Sequence, residues 1–454
     1  MAIVIMVGSV AGSAIFIAPT AVVRGAGSVG ASLLIWATCG LLNLLLALCY
    51  AELGSAIPVA GGDYAYIHNV IGRFPAFMNL WVMIVLIGPT TLAFITRSFG
   101  IYYSSMFGTS EWDALLVTAA AICLLTAVTA LNIYSMVLAS KCATLLSLGK
   151  VLGMGMIIVL GIVKICQGHT SNFNNIFAGT SSNVADVVVA FLPAFYSCVG
   201  WDCINALAEE MKNPRRDLPI AAFASLIIVM VIYLAMNVAF FSMLSPQELV
   251  LSDTVGTSFV QKAWPSAPWI IPVLVCFSSA GSALNNMMAC PRWAFAGGRD
   301  GNLPRILSFM HIRHFTPAPA VVLICFLAMF YTTATFLDLQ NLLIISSLQV
   351  QIKTSITLIA LLKLRLQHPE MPRTIRVPLL LIIFALLSLI FMIVVSVYNK
   401  PLLNGISILI FLMGAPIYYI SSKLRKFKTV DTFMDGVTSF TQRLMLSVPE
   451  KRTH

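Results

Sequence analysis

The segment Gly8-Ser9-Val10-Ala11-Gly12-Ser13-Ala14-Ile15-Phe16 lies inside the first apolar run of the chain, which covers residues 1–23. Small residues that interrupt an apolar helix leave backbone groups unpaired, and a lipid-exposed helix cannot tolerate such groups. A helix that lines an internal cavity can, because its freed amides and carbonyls then bind a ligand. A second interruption, Cys198-Val199-Gly200, lies within the sixth apolar run. Two interruptions five runs apart predict an inverted-repeat transporter with its binding site at the bilayer midplane.

The composition places the whole chain in a membrane. Its 454 residues are 59% hydrophobic and 10% charged, and the mean hydropathy is +0.93. Soluble globular proteins are about 45–50% apolar and about 25% charged. A β-barrel is excluded because runs such as 115–131 and 377–397 do not alternate between apolar and polar residues. We therefore predict an all-α polytopic membrane protein.

Twelve apolar segments are long enough to cross a bilayer, which takes about 20 helical residues. They are 1–23, 29–56, 74–104, 112–132, 142–165, 184–211, 218–243, 267–295, 317–335, 338–364, 374–397 and 402–421. These segments predict a transmembrane domain over residues 1–421, built as a 5+5 inverted repeat with broken helices 1 and 6. The first repeat covers 1–165, the second covers 184–364, and two further helices occupy 374–421.

The two termini carry separate expectations. The chain begins inside an apolar run, which favours a truncated N-terminus. The tail, residues 422–454, begins with a basic cluster and continues with apolar residues at helical spacing over 430–445. This pattern fits an interfacial helix on the inner leaflet, and it equally fits a frayed, solvated tail.

The formal net charge of +10 reflects topology. Most of the Lys and Arg residues fall in connections on one side of the predicted bundle, and the positive-inside rule then places both termini in the cytosol. The basic balance therefore does not indicate nucleic-acid binding. The ten Cys residues show no metal-ligand spacing. No cofactor, metal or nucleophile–base cluster is evident, so the sequence does not predict an enzyme.

The first interruption suits a carboxylate. A second half-helix that begins near Ala14 presents amides with partial positive charge, and the Ser13 hydroxyl adds a donor. The alternative is close packing of helices through small residues, which is common in membrane bundles. The pairing with a second interruption favours the binding site.

The second interruption suits an ammonium group. The carbonyls that end its first half-helix attract a cation, Tyr196 is placed to cover a bound side chain as a gate, and Asp202 is a carboxylate within an apolar span. The alternative for Tyr196 is a core or interfacial aromatic residue. The alternative for Asp202 is a helix cap or a charge pair.

Two lysines lie inside apolar runs. The Lys150 ammonium can stand where ion-coupled transporters hold Na⁺. Lys353 lies in a polar stretch with Gln349 and Gln351, and it either has a function or snorkels into a polar helix contact. The mixed charges of 209–219 fit an inner gate or a solvated loop.

Four motifs carry a resemblance to a known family. They are Cys49-Tyr50-Ala51-Glu52-Leu53-Gly54, Gly61-Gly62-Asp63-Tyr64-Ala65-Tyr66, Glu209-Glu210-Met211-Lys212-Asn213-Pro214-Arg215-Arg216-Asp217-Leu218-Pro219 and Arg299-Asp300-Gly301-Asn302-Leu303-Pro304. Together they resemble the L-type amino acid transporters, the light chains of heteromeric amino acid transporters within the amino acid–polyamine–organocation superfamily. The resemblance covers essentially the whole chain.

The resemblance implies Na⁺-independent exchange of amino acids across the plasma membrane by alternating access. It implies that a substrate carboxylate binds at the first break and the substrate amine at the second. The corresponding residues are Val10, Ala11, Gly12, Ser13 and Ala14 for the carboxylate, and Tyr196, Ser197 and Val199 for the amine. The gating aromatic residue of the family falls on Tyr196, and the lysine of its fifth helix falls on Lys150.

The chain departs from the family pattern at several of these positions. Ala14 stands where the family commonly has Gly, and Asp202 stands where it often has Asn. Cation-preferring relatives have an acid at the position of Val199, so Val favours neutral substrates. Leu348 and Gln351 replace bulky aromatic residues of the transporters of large neutral amino acids, which indicates a remodelled side-chain pocket.

Light chains usually bond a glycoprotein heavy chain through a Cys in an outer loop. The corresponding loop here, residues 102–113, has no Cys. We therefore expect either no heavy chain or one that is bound noncovalently. Other functions stay open: an amino-acid sensor with little flux, a channel, or a transporter of cationic or aromatic amino acids.

Overall fold

The computed structural model describes residues 6–8, 10–57, 62–107, 113–202, 213–252, 254–314, 316–334, 339–371, 373–424, 438–439, 442 and 447–449. Fifteen α-helices are assigned in these ranges. They are α1 (Ala18–Ala26), α2 (Val29–Ala56), α3 (Gly62–Val70), α4 (Arg73–Ser104), α5 (Asp113–Tyr134), α6 (Met136–Cys166), α7 (Val184–Ser197), α8 (Pro214–Met243), α9 (Pro246–Leu251), α10 (Val255–Ala263), α11 (Ile270–Arg299), α12 (Ala318–Thr333), α13 (Leu339–Gln367), α14 (Leu379–Asn399) and α15 (Pro401–Leu424).

The predicted all-α polytopic membrane fold is confirmed. Within the described residues, nine helices are long and apolar enough to cross a bilayer. The shorter apolar helices α7 and α12 and the interrupted first run bring the total to the twelve predicted segments. The division into two inverted repeats and two further helices stays a prediction.

Residues with a clear local role begin several of the helices. Ser28 and Ser135 accept a hydrogen bond from a first-turn amide of α2 and α6, and Asn183 does the same for α7. These side chains satisfy amides that have no partner inside the helix. The short helix α9 begins with a reciprocal capping box, in which Ser245 and Glu248 each bind the other's backbone amide.

The helices separate into a buried centre and an exposed periphery. In the most apolar windows of α4 and α13, 83% of the residues are buried, whereas the value for α15 is 17%. Around the centre, α11 packs against α6 and α4, α8 packs against α2, and α1 packs against α7. Helix α1 follows the first interruption and α7 ends at the second, so this last contact brings the two interrupted segments together.

Within α4, the residues Met83–Ile87 form a π-helical turn. Gly88 and Pro89 follow directly, and proline has no amide hydrogen to continue the regular hydrogen-bond pattern. Just beyond this turn, the Thr90 hydroxyl contacts Ser346 of α13, and the Thr91 hydroxyl contacts Tyr196 of α7.

Part of the tail is paired with an inner connection. Strand β1 (Phe309–His311) pairs antiparallel with β2 (Ser447–Pro449), so that Met310 lies opposite Val448. The interfacial helix predicted for the tail falls almost entirely outside the described residues, as do residues 203–212 of the segment that precedes α8.

Candidate functional site

The first apolar run is interrupted at the predicted position. Residues 6–8 and Val10 are helical, Gly12 is extended with φ −88° and ψ −179°, and a 3-10 helix follows at Ser13–Phe16. The Gly12 amide donates to the Val10 carbonyl at 2.7 Å. The amides that begin a helical segment have no acceptor within it, which is the property required of the predicted carboxylate site at Ser13 and Ala14.

The side chains at the first break are mostly small and apolar. Val10, Ala11 and Ala14 are buried. The main chain therefore supplies polar groups at this break, in addition to the hydroxyl of Ser13. A ligand that binds here has to bind peptide groups, and those of a helix start attract a negative charge.

The second interruption follows the last residue of α7. The Cys198 amide donates to the Phe195 carbonyl and the Val199 amide to the Tyr196 carbonyl, each at 3.1 Å, which closes a tight turn. Gly200 then has φ +120°, a left-handed conformation that favours glycine. Inside the helix, the Ser197 hydroxyl donates to the Pro193 carbonyl at 2.7 Å. The α7 helix therefore ends in carbonyls that point toward its C-terminus, the end that attracts a cation.

A single tyrosine on α8 joins the two breaks. The Tyr233 hydroxyl lies 3.0 Å from the Val10 carbonyl oxygen and 3.1 Å from the Ser197 carbonyl oxygen, and the side chain is 1% exposed. A hydroxyl donates one hydrogen, so the two carbonyls share it. The structure thus places the carbonyl of Val10, before the first break, and that of Ser197, before the second, in contact with the same hydroxyl oxygen.

Tyr196 is half-buried beside the second break. Its hydroxyl lies 2.8 Å from Thr91 Oγ1, and its ring meets the ring of Phe94 edge-on with 6.3 Å between the centroids. Both contacts come from α4. The gating role of Tyr196 stays a prediction. A gating movement of this side chain would have to break these two contacts.

Lys150 contacts the first break from α6. Its Nζ donates to the Gly8 carbonyl at 2.9 Å, and the side chain is buried. The ammonium is thus hydrogen-bonded to a backbone carbonyl on the N-terminal side of the break. The role of Lys150 as a substitute for a bound cation stays a prediction.

Asp202 follows the second break and is paired with a lysine. Its Oδ2 lies 2.5 Å from Lys353 Nζ, which also lies 2.7 Å from Asp63 Oδ2. Thr357 donates to the other oxygen of Asp63 at 2.8 Å. The sequence left open whether Asp202 binds substrate or forms a charge pair, and in this structure the charge pair is formed. We call these three charged residues the Asp63–Lys353–Asp202 cluster.

The chain is similar to known proteins over nearly its whole length. A family model described as "Amino acid permease" matches residues 1–421. The chain belongs to the amino acid permease family. The permease is 32% identical to b(0,+)-type amino acid transporter 1 of Mus musculus over 451 residues, which is 99% of this chain and 92% of that protein.

The names of two other relatives of the permease specify particular amino acids. It is 34% identical to the cystine/glutamate transporter of Homo sapiens over 455 residues, 98% of this chain and 89% of that protein. It is 33% identical to large neutral amino acids transporter small subunit 2 of Oryctolagus cuniculus over 453 residues, 98% of this chain and 84% of that protein. The resemblance to L-type amino acid transporters is confirmed, and the permease is a membrane-spanning amino acid transporter.

Several residues of the permease that shape this region were missed by the sequence analysis. The Trp201 indole donates to Asn43 Oδ1 at 2.9 Å, and Asn43 Nδ2 donates to the Phe195 carbonyl at 3.4 Å. Asn43 therefore ties α2 to both sides of the second break. Neither Asn43 nor Tyr233 stands out in an apolar run, because one polar or aromatic residue there is compatible with simple packing. Asp63 was part of a quoted motif and carried no assigned role.

Helix α1, which follows the first break, packs against the short helix α9. Thr20 Oγ1 donates to the Ser252 carbonyl at 3.1 Å, so α1 is held against the segment that includes α9. After the second break, the Asp202 side chain is 22% exposed. Among the residues that the structure describes, no three His, Cys, Asp or Glu side chains are grouped to hold a metal ion.

Proposed function

We propose that this permease exchanges neutral L-amino acids across the plasma membrane by alternating access and without Na⁺. The observation that carries the proposal is the Tyr233 hydroxyl, which contacts the Val10 and Ser197 carbonyls at once. This contact joins the residues that precede the first break to those that precede the second, which supports a single site between the two breaks. A zwitterionic amino acid has a carboxylate for the one and an ammonium for the other.

The side chains near the second break favour a neutral substrate. Val199 is apolar, and the Asp202 carboxylate is paired with Lys353. A cationic substrate side chain would have to compete with the Lys353 ammonium for Asp202. The names of the relatives include neutral amino acids as well as cystine and glutamate, so this choice rests on the residues of this chain.

Independence from Na⁺ is supported by Lys150. Its ammonium lies 2.9 Å from the Gly8 carbonyl oxygen at the first break. A fixed positive charge beside that carbonyl opposes the binding of a second cation. Exchange without an ion gradient is the transport mode that fits such a site.

A glycoprotein heavy chain, if the permease has one, would be bound noncovalently. The name of the rabbit relative marks that protein as a small subunit. In this chain the loop 102–113 has no Cys to form the usual disulfide. A non-reducing gel of the permease from surface-labelled cells tests this, and a reducible heterodimer linked through that loop would contradict it.

Epitope tags on both termini, read without and with permeabilisation, test the plasma-membrane location and the cytosolic termini.

Flux in reconstituted vesicles tests the proposed function. We expect vesicles that contain the permease to take up labelled neutral amino acids, faster when unlabelled amino acid is inside, and equally with Na⁺ or choline outside. Saturable binding without flux would instead indicate a sensor. Flux that neither saturates nor responds to internal amino acid would indicate a channel, and preferential uptake of cationic amino acids would overturn the neutral assignment.

A further inference from the structure

Outside the two breaks, the most unusual feature of the bundle is the Asp63–Lys353–Asp202 cluster. One ammonium is shared by two carboxylates at 2.5 Å and 2.7 Å, and the side chains of Lys353 and Asp63 are 5% and 3% exposed. The three charges come from α13, from the start of α3 and from the residues after the second break. A buried charge is expensive unless it is paired, so an unequal count of charges at one place requires a physical reason.

The two carboxylates are held very differently. Both oxygens of Asp63 are used, one by Lys353 and the other by Thr357, which lies one helical turn further along α13. Asp63 is therefore clamped to α13 at two points. Among the described residues, Asp202 forms an ion pair with Lys353, and its side chain is more exposed than that of Asp63, at 22%. Asp63 is thus held by two side chains and, among the described residues, Asp202 is held by one.

Helix α13 is itself anchored on both sides of the cluster. The Ser347 hydroxyl donates to the Leu192 carbonyl of α7 at 3.3 Å. Further along, the Arg365 guanidinium binds the buried Glu52 carboxylate of α2 with both Nε and Nη2. Lys353 is thus presented from a helix that is fastened before and after it.

The extra carboxylate has an energetic consequence. Breaking a buried ion pair costs about 3–5 kcal/mol when it leaves one charge without a partner. When Asp202 leaves Lys353, Asp63 remains on the ammonium, so this full penalty does not apply. A simple one-to-one pair of Lys353 and Asp202 would open at a much higher cost.

We infer that Asp63 and Lys353 are positioning residues for Asp202, and that Asp63 allows Lys353 to release Asp202 each time the residues after the second break move. The inference rests on the proposed alternating-access function, because release matters only if that segment moves during transport. The Asp63–Lys353 pair then sets the rate of the transport step and leaves the affinity for substrate unchanged.

The test compares exchange kinetics of Asp63→Asn with those of the wild type in vesicles. In the variant, Asp202 is the remaining carboxylate on Lys353, so we expect the maximal exchange rate to fall at least about tenfold with KM unchanged within about twofold. The control is Glu248→Gln, which removes a carboxylate from an exposed ion pair with Lys262 far from the cluster. It should exchange at the wild-type rate.

A second variant separates release from a structural role of Asp63. In Asp63→Asn/Lys353→Met no ammonium remains to hold Asp202, so the exchange rate should recover to near the wild-type value. A merely structural role predicts that the double variant is as slow as Asp63→Asn, or slower. Either that result or a wild-type rate in Asp63→Asn would overturn the inference.

A third variant covers the case in which Asp63→Asn is not recovered in folded form. Thr357→Val leaves all charges in place and loosens one of the two points that clamp Asp63, so we expect a two- to fivefold slower exchange, and a wild-type rate would overturn the inference. If wild-type vesicles show no flux at all, the proposed function fails. If they do show flux and these variants behave like wild type, the inference alone fails.

Discussion

The two breaks are built from the same kind of residues and are held in different ways. At the first break, neighbouring helices donate hydrogen bonds to backbone carbonyls: Lys150 to Gly8, Tyr233 to Val10 and Tyr102 to Phe16. At the second break, Tyr233 and Asn43 likewise bind the Ser197 and Phe195 carbonyls, but here the Asp202 side chain is bound as well, by Lys353. Its neighbour Tyr196 is also held by its side chain, through Thr91.

This difference indicates which break is fixed and which can change. Carbonyls that are bound by three separate helices fix the path of the main chain and leave little to rearrange. Side-chain contacts can exchange partners while the main chain stays intact. We therefore expect the first break to be the more rigid half of the site, and the side-chain contacts of the second break to change during transport. Four predictions test this comparison.

The largest effect is expected from Lys353→Met. The variant leaves the Asp63 and Asp202 carboxylates without their common cation, so we expect the free energy of unfolding to fall by about 3–5 kcal/mol. Thermal unfolding of the purified permease measures this. Adding Asp63→Asn should recover most of the loss. Unchanged stability in Lys353→Met would mean that the cluster is not a paired unit.

Replacing the glycines of the two breaks by alanine should have unequal effects. Gly200 has φ +120°, so Gly200→Ala forces a strained backbone and should lower stability by about 1–3 kcal/mol. Gly12 has φ −88°, and a Cβ there meets its nearest atom at 3.8 Å, so Gly12→Ala should unfold like the wild type. The added methyl group beside the predicted carboxylate site should still reduce uptake. Equal stability losses in both variants would contradict this comparison.

Tyr233→Phe should uncouple the two breaks with little effect on folding. It removes the hydroxyl that the Val10 and Ser197 carbonyls share, a hydrogen bond of about 1 kcal/mol, and we expect a five- to tenfold lower uptake rate. The matched control is Tyr331→Phe, which removes a hydroxyl that donates to the Val85 carbonyl of α4. Equal losses in both variants would show that the effect is not specific to the breaks.

The smallest effect is expected at the exposed ion pair between Glu248 and Lys262. The Lys262 ammonium lowers the pKa of the Glu248 carboxyl below its usual value. Stability from this pair is therefore present above the unfolded pKa of about 4.3 and is lost as the pH falls through the lower, folded value. Because the pair is exposed, Glu248→Gln should change stability by at most about 1 kcal/mol, measured by thermal unfolding at pH 7 and pH 4. A larger loss would show that exposed pairs matter here as much as the buried cluster.

The sequence predicted the spans and the positions of both breaks, because a bilayer tolerates an interrupted helix only where the freed backbone groups face a cavity or other protein. It also identified Asp202 and Lys353, since charges are rare at such depth. It did not reveal that they bind each other, because the partners are 151 residues apart and no periodicity relates them. The contributions of Tyr233, Asn43 and Thr91 depend on tertiary packing and leave no local pattern.

The short elements between the spans were also missed. Helices α3, α9 and α10 are too short to form an apolar run, and β1 and β2 pair residues from distant parts of the chain. Only the capping box of α9, from Ser245 to Glu248, is a local signal that sequence reasoning could have used.

The most direct test of the account is competition against uptake of a transported neutral amino acid. The competitors are the unlabelled amino acid, its deaminated carboxylic acid, and the amino alcohol in which the carboxylate is reduced. Because each break binds one charged end, and hydrogen bonds to a charged group contribute about 1.5–3 kcal/mol, both analogues should compete at least about tenfold more weakly than the parent. An analogue lacking either end that competes as strongly as the parent would contradict the claim that the two breaks form one binding site.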